Sequence, residues 1–186
     1  MYNVKVIKTL IAASILAAGV ANAAGVVSAP GGTVHFKGEI VNAACAVSAD
    51  STNQTVDLGQ YRTALFTKVG DRSGPVSFVI KLQDCDTTVS TTAAVAFSGV
   101  SDATDSTVLT TSNIGGGTSG AASGVGIEIS DNKGKVLSPD GSSFSTAQKL
   151  NDGRNELTFN AKYKSTSATV TAGRADADAM FTMQYE

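Results

Sequence analysis

Tryptophan is absent from this chain, histidine occurs once, at His35, and proline only three times. Charge is scarce too: Asp, Glu, Lys and Arg together make up 16% of the residues. Each shortage excludes something. A lone histidine cannot build a nucleophile–base–acid relay unless two partners converge on it, and His35 reads instead as a solvent-facing strand residue. Neither closely spaced thiols nor histidines are present to hold a metal, so no metal and no other cofactor is expected. Basic residues form no run, which argues against nucleic acid as a partner. Gly115-Gly116-Gly117 lacks the lysine that follows a phosphate-cradling loop and reads as a flexible linker. Asp84 and Asp86 flank Cys85 at a strand end, where surface and turn-capping roles are expected rather than paired-acid catalysis. Asp131-Asn132-Lys133-Gly134 lacks the spaced ligands of a calcium loop and reads as a hairpin turn. No enzyme is expected.

Long apolar runs are missing as well, except at the start. Lys5 and Lys8 precede an apolar run over residues 10–20, too short to span a bilayer, and Ala21-Asn22-Ala23 follows with small residues. Residues 1–23 are therefore expected to be a signal peptide, with the mature chain exported and carrying 12 basic against 16 acidic side chains. In an exported chain the two cysteines, Cys45 and Cys85, suggest a disulfide. Closing a loop of about 40 residues is worth roughly 4 kcal/mol in the chain-entropy model.

What is present is strand character. Residues 33–41 alternate Val34, Phe36, Gly38 and Ile40 against His35, Lys37 and Glu39. Further strands are expected over 54–58, 76–82, 93–97, 124–129 and 156–163, with turn clusters of Gly, Asn and Asp between them. Residues 61–68 are compatible with a single helical turn. Many short strands joined by glycine-rich turns predict a β-sandwich. At the end of the sequence, Ala175, Ala177, Ala179, Phe181, Met183 and Tyr185 share one parity, while Asp176, Asp178, Thr182, Gln184 and Glu186 share the other. That is a strand with one buried face. It needs neighbours on both sides, and the sequence given offers none after Glu186. Low charge weakens the usual protection of strand edges.

Three stretches together carry a family likeness. They are residues 31–39 running on into Val41-Asn42-Ala43-Ala44-Cys45, then Leu82-Gln83-Asp84-Cys85-Asp86, and finally residues 175–179 with Phe181 and Tyr185. The chain resembles a major structural subunit of a chaperone–usher pilus, of the type 1 fimbrial family. Gly173 and Tyr185 fit the family's glycine fourteenth from the end and its aromatic residue second from the end. The resemblance implies an all-β, incomplete immunoglobulin-like sandwich lacking its last strand and completed by donor-strand complementation. It also implies a signal peptide (1–23), a donor-strand extension (24–40) and a pilin domain (41–186). Val34, Phe36, Gly38 and Ile40 are then the donor residues, with Val26 or Val27 assisting, and Gly38 is the point of close approach. Ile40 belongs either to the donor or to the domain's own first strand. Gly173, Ala179, Phe181, Met183 and Tyr185 would line the acceptor groove. The implied partners are copies of the same chain, a periplasmic chaperone, an outer-membrane usher and other pilus subunits. The implied route runs through the periplasm to a surface fimbrium. A minor adaptor subunit is the nearest alternative. A carbohydrate-binding adhesin is a more distant one, because about 163 mature residues leave no room for a lectin domain ahead of the pilin domain. Residues 24–40 folding back onto their own domain is a further alternative.

Overall fold

The computed structural model describes residues 28–112 and 120–186. The expected signal peptide, Val26, Val27 and the linker over 113–119 lie outside the described residues. The chain divides into two units, Met1–Glu39 and Ile40–Glu186. In the first, residues 28–39 carry neither helix nor strand and are exposed throughout. The alternation over 33–41 therefore makes no strand here. Alternation says which face a strand would bury, but a strand exists only with a ladder partner, and residues 33–41 have none among the described residues.

The second unit is nearly all β. Its elements are β1 (Ala46–Val47), α1 (Ala49–Thr52), β2 (Val76–Cys85), β3 (Thr92–Gly99), β4 (Leu109–Thr110), β5 (Val125–Asp131), β6 (Val136–Leu137), β7 (Gln148–Lys149), β8 (Gly153–Ser165) and β9 (Ala179–Tyr185). One sheet has the order β1-β2-β8-β5-β4, with β6 also paired to β5; the other has the order β7-β3-β9. Every pairing is antiparallel. The expected turn over 131–134 joins β5 to β6. A 3-10 turn at Thr63–Leu65 falls within the expected helical stretch.

Alternating apolar residues face inward from both sheets. Phe78 and Ile80 of β2 lie opposite Phe159 and Leu157 of β8. Phe97 of β3 crosses from the other sheet, its ring 5.2 Å from Phe159 and nearly perpendicular to it. Such edge-to-face pairs add about 0.5–1.5 kcal/mol to simple burial. Between Leu82 and Cys85 the ladder shifts: Leu82 pairs with Asn155 and Cys85 with Gly153, so β2 carries one extra residue there. Asp84 takes up the bulge at φ 53°. One inserted residue flips the facing of everything after it, which is why Leu82 and Cys85, of opposite parity, both point into the core. Cys85 is joined to Cys45 by a disulfide.

The outer face of the larger sheet holds an ion network. Glu128 of β5 is on the polar parity yet only 1% exposed. Arg72 grips it with two nitrogens, Nε to Oε1 at 3.0 Å and Nη2 to Oε2 at 2.9 Å. Lys162 lies 3.1 Å and Lys164 3.5 Å from the same carboxylate. Lys164 also meets Asp105 at 2.6 Å. Burial pushes both carboxyls up, but the surrounding donors outweigh it. Asp105 is held at about 2 by Lys164 and Thr107, and Glu128 is lowered by Arg72 and Lys162.

Candidate functional site

The smaller sheet ends abruptly. β9 pairs with β3 alone among the described residues. Thr92 and Glu186 exchange both backbone bonds, Thr92 N–H to Glu186 O at 2.8 Å and Glu186 N–H to Thr92 O at 3.1 Å. Antiparallel ladders alternate, so Gln184, Thr182 and Met180 make the remaining bonds to β3. The N–H and C=O groups of Ala179, Phe181, Met183 and Tyr185 therefore point to the unpaired edge. On the same residues the side chains of Phe181, Met183 and Tyr185 turn inward against the core, yet remain only half-buried. Ala179 is exposed.

Beside that edge runs an open cleft of about 1510 Å³. Its floor is core: Phe78 and Ile80 of β2, Ile127 of β5, and Ala161 and Tyr163 of β8. One lip is Ala179 and Phe181 of β9 with its approach over 170–178, while Met183 and Tyr185 lie further along β9, outside the lining. The other lip is residues 53–62. The strand expected over 54–58 does not form. Among the described residues the only backbone N–H of 54–61 with a partner is that of Gly59, bonded to the Asp57 carboxylate at 2.9 Å. Val56 and Leu58 nevertheless alternate to the half-buried side. Both lips thus combine apolar side chains with unsatisfied backbone, an arrangement that invites a further strand.

The expected C-terminal strand starts later than its alternation suggests. Residues 171–176 instead form the end wall of the cleft through isolated bridges to Ser112, Ala121 and Ser123. Ala122 N–H meets Arg174 O at 2.6 Å, and Ser112 and Asp176 exchange bonds at 2.8 and 2.9 Å. A Cβ on Gly173 would intrude on the backbone of Ala121 and Ala122, so glycine is what lets the two segments touch.

Two tyrosines tie the site together. Tyr163 donates its hydroxyl to the Ala175 carbonyl at 3.0 Å, and its ring meets that of Tyr61 edge-on at 5.8 Å. Tyr185 donates to the Cys45 carbonyl at 3.4 Å. Burial raises both phenols above their ordinary range, and the nearby Asp176 adds to the effect on Tyr163, so both stay protonated donors at neutral pH. Alternation marked Tyr163 only as an inward strand residue. Its hydroxyl contact is tertiary and leaves no local pattern to read.

The expected donor residues lie apart from any ladder. Val34 is 73%, Phe36 92% and Ile40 100% exposed. The space around Gly38 is open. His35 and Asp84 are exposed, and the Asp86 carboxylate caps the next turn by accepting from the Thr88 N–H at 2.9 Å. Among the described residues no group of three His, Cys, Asp or Glu side chains is placed to hold a metal ion. No helix there is long and apolar enough to cross a membrane.

Comparison with known proteins points the same way. The family described as fimbrial protein matches residues 34–186. The chain is 54% identical over 160 residues to a fimbrial subunit type 1 of Salmonella typhimurium, covering 86% of this chain and 85% of that one. It is 52% identical over 184 residues to the type-1 fimbrial protein A chain of Salmonella typhi, covering 98% of each. Among solved structures, a chaperone–usher pilus matches with a TM-score of 0.70 at 30% identity, over 88% of this chain and 100% of that one. The P pilus rod subunit PapA matches with a TM-score of 0.65 at 30% identity, over 77% and 100%.

Proposed function

The chain belongs to the fimbrial protein family, and from that premise we propose that it is a repeating structural subunit of a pilus shaft, polymerised by strand donation between copies. Its immunoglobulin-like sandwich is incomplete, and the cleft beside β9 is the acceptor. Residues 24–40 of another copy are the donor. The observation that carries this reading is the unpaired edge of β9, where free backbone groups and half-buried apolar side chains fall on the same residues.

The dimensions support it. β9 has seven residues, and the donor alternation from Val34 to Ile40 spans the same number. Val34, Phe36 and Ile40 present apolar side chains with the period of two that the cleft requires. Burying a full-sized apolar side chain contributes roughly 1.5–3 kcal/mol, and each net ladder bond roughly 0.5–1.5 kcal/mol. The gross gain is therefore on the order of 10 kcal/mol before ordering costs, so assembly needs no nucleotide. Residues 53–62 form the second edge onto which the incoming strand fits.

An open apolar cleft is an aggregation hazard during export. A periplasmic chaperone that lends a strand, and an outer-membrane usher where the next subunit replaces it, fit that need. The role is structural, at the cell surface, with no catalysis assigned to it. Deleting residues 24–38 tests the reading. The shortened chain should still accept a donor strand but fail to supply one, so no fibre extends beyond it. Fibres of normal length built from that variant alone would reject the proposal.

A further inference from the structure

We infer that the hydroxyls of Tyr163 and Tyr185 pin the β9 lip of the cleft, one on its approach and one at its far end, and so hold the cleft ready for strand entry. The inference rests on the reading of the cleft as a strand acceptor and concerns how it is kept in shape.

At one end, Tyr185 is the last inward residue of β9, and its hydroxyl bonds the carbonyl of Cys45, just ahead of β1 on the chain that leads to the facing lip. The two are 140 residues apart in sequence. At the other end, Tyr163 rises from the floor on β8. Its hydroxyl bonds Ala175, on the approach to β9, and its ring packs against Tyr61 of the facing lip. Tyr61 is itself held by a bond to the Gly74 carbonyl at 3.3 Å, just ahead of β2. Between these ends no hydrogen bond joins residues 46–62 to residues 171–186 among the described residues.

An apolar cleft in water gains by closing on itself. A strand entering a collapsed cleft must first reopen it, and that cost is subtracted from the binding energy. Two tethers, one on the approach to β9 and one at its end, hold the β9 lip in place while leaving the middle of the cleft clear. Phenylalanine at either position would fill the same volume and leave a carbonyl without its partner. Tyr163 and Tyr185 are thus positioning residues: they act on the strand through the lips.

The experiment mixes the full-length exported chain with a labelled synthetic peptide of residues 28–41 and follows uptake by fluorescence anisotropy. Tyr163→Phe and Tyr185→Phe should each slow uptake about fivefold, the value of one net hydrogen bond. The decisive readout is coupling to the peptide's ends, measured with Val34→Ala and Ile40→Ala peptides. Tyr163→Phe should couple to one of these positions and Tyr185→Phe to the other. A general loss of stability would slow all peptides alike. Wild-type rates in both variants, or coupling of both to the same position or to neither, would overturn the inference. If Tyr163→Phe does not fold, Tyr61→Leu carries the test at that end. Failure of the unaltered chain to take up the unaltered peptide is a different result. It would remove the acceptor reading itself, and this inference with it.

Discussion

Glu128 carries a full charge where the solvent barely reaches, and it is met by Arg72, Lys162 and Lys164. Breaking such a pair from one side leaves an uncompensated buried charge. Arg72→Leu leaves only Lys162 and Lys164 against that charge, so it should destabilise the fold by about 2 kcal/mol in urea unfolding, and Glu128→Gln should relieve part of that loss in the double variant. Glu128 and Asp105 both titrate lower in the fold than their ordinary 4.5 and 3.8. Their contribution is complete above those values and is lost as pH falls toward about 2. For Asp105 that contribution is about 2 kcal/mol at most. Urea midpoints measured from pH 6 down to pH 2 should fall in that window, and the fall should be shallower in Glu128→Gln. Gly173 is the other residue on which much hangs. Gly173→Ala pushes against the backbone of Ala121 and Ala122, so the end wall should detach. Strand uptake should drop severalfold, and the thermal midpoint should fall by several degrees.

At the scale of the element, β9 has two edges with different work. Gln184 bonds β3, while Met183 turns its N–H to the open side. Met183→Pro should keep the ladder to β3, with near-native circular dichroism, and abolish acceptance of a donor peptide. Met183→Ala, which keeps the N–H, is the packing control and should retain acceptance. Gln184→Pro should weaken the β3 ladder itself and lower the urea midpoint. The long strands were legible in the sequence because their inward residues recur with period two: β2, β3, β5 and β8 all fall on expected stretches. The two-residue strands β1, β4, β6 and β7 are too short to show any period. Residues 33–41 and 54–58 have the period and make no ladder, because periodicity states what a segment can bury and not whether a partner is at hand. Residues 175–178 have the period too, in their alternating Ala and Asp, but β9 begins only at Ala179, because Gly173 draws the chain ahead of it onto Ala121. The grip of Arg72 on Glu128 spans 56 residues and has no local signature.

At the scale of the whole molecule, the proposed reading means that a strand taken into the cleft supplies part of the stability from outside. Ligand binding stabilises by RT ln(1 + [L]/Kd), so a peptide held a hundredfold above its Kd adds about 2.7 kcal/mol. Thermal unfolding of the full-length chain should therefore shift upward with added peptide 28–41 by several degrees. The shift should grow with peptide concentration and vanish for a peptide with Val34, Phe36 and Ile40 all changed to Ser. A midpoint indifferent to the native peptide would show that the cleft is already satisfied.

The bond between Cys45 and Cys85 gives the molecule a mechanical character. Any tension applied through the exposed residues 28–43 reaches Cys45 and passes covalently to Cys85, at the end of a ten-residue strand zipped to β8. The 39 residues between the two cysteines are bypassed by that bond and cannot be pulled out like slack. The same cysteine receives the Tyr185 hydroxyl, so the anchor of the leading arm and the far end of β9 meet at one point. A hauled chain of such units would transmit force from anchor to anchor, with the loops carried as passengers.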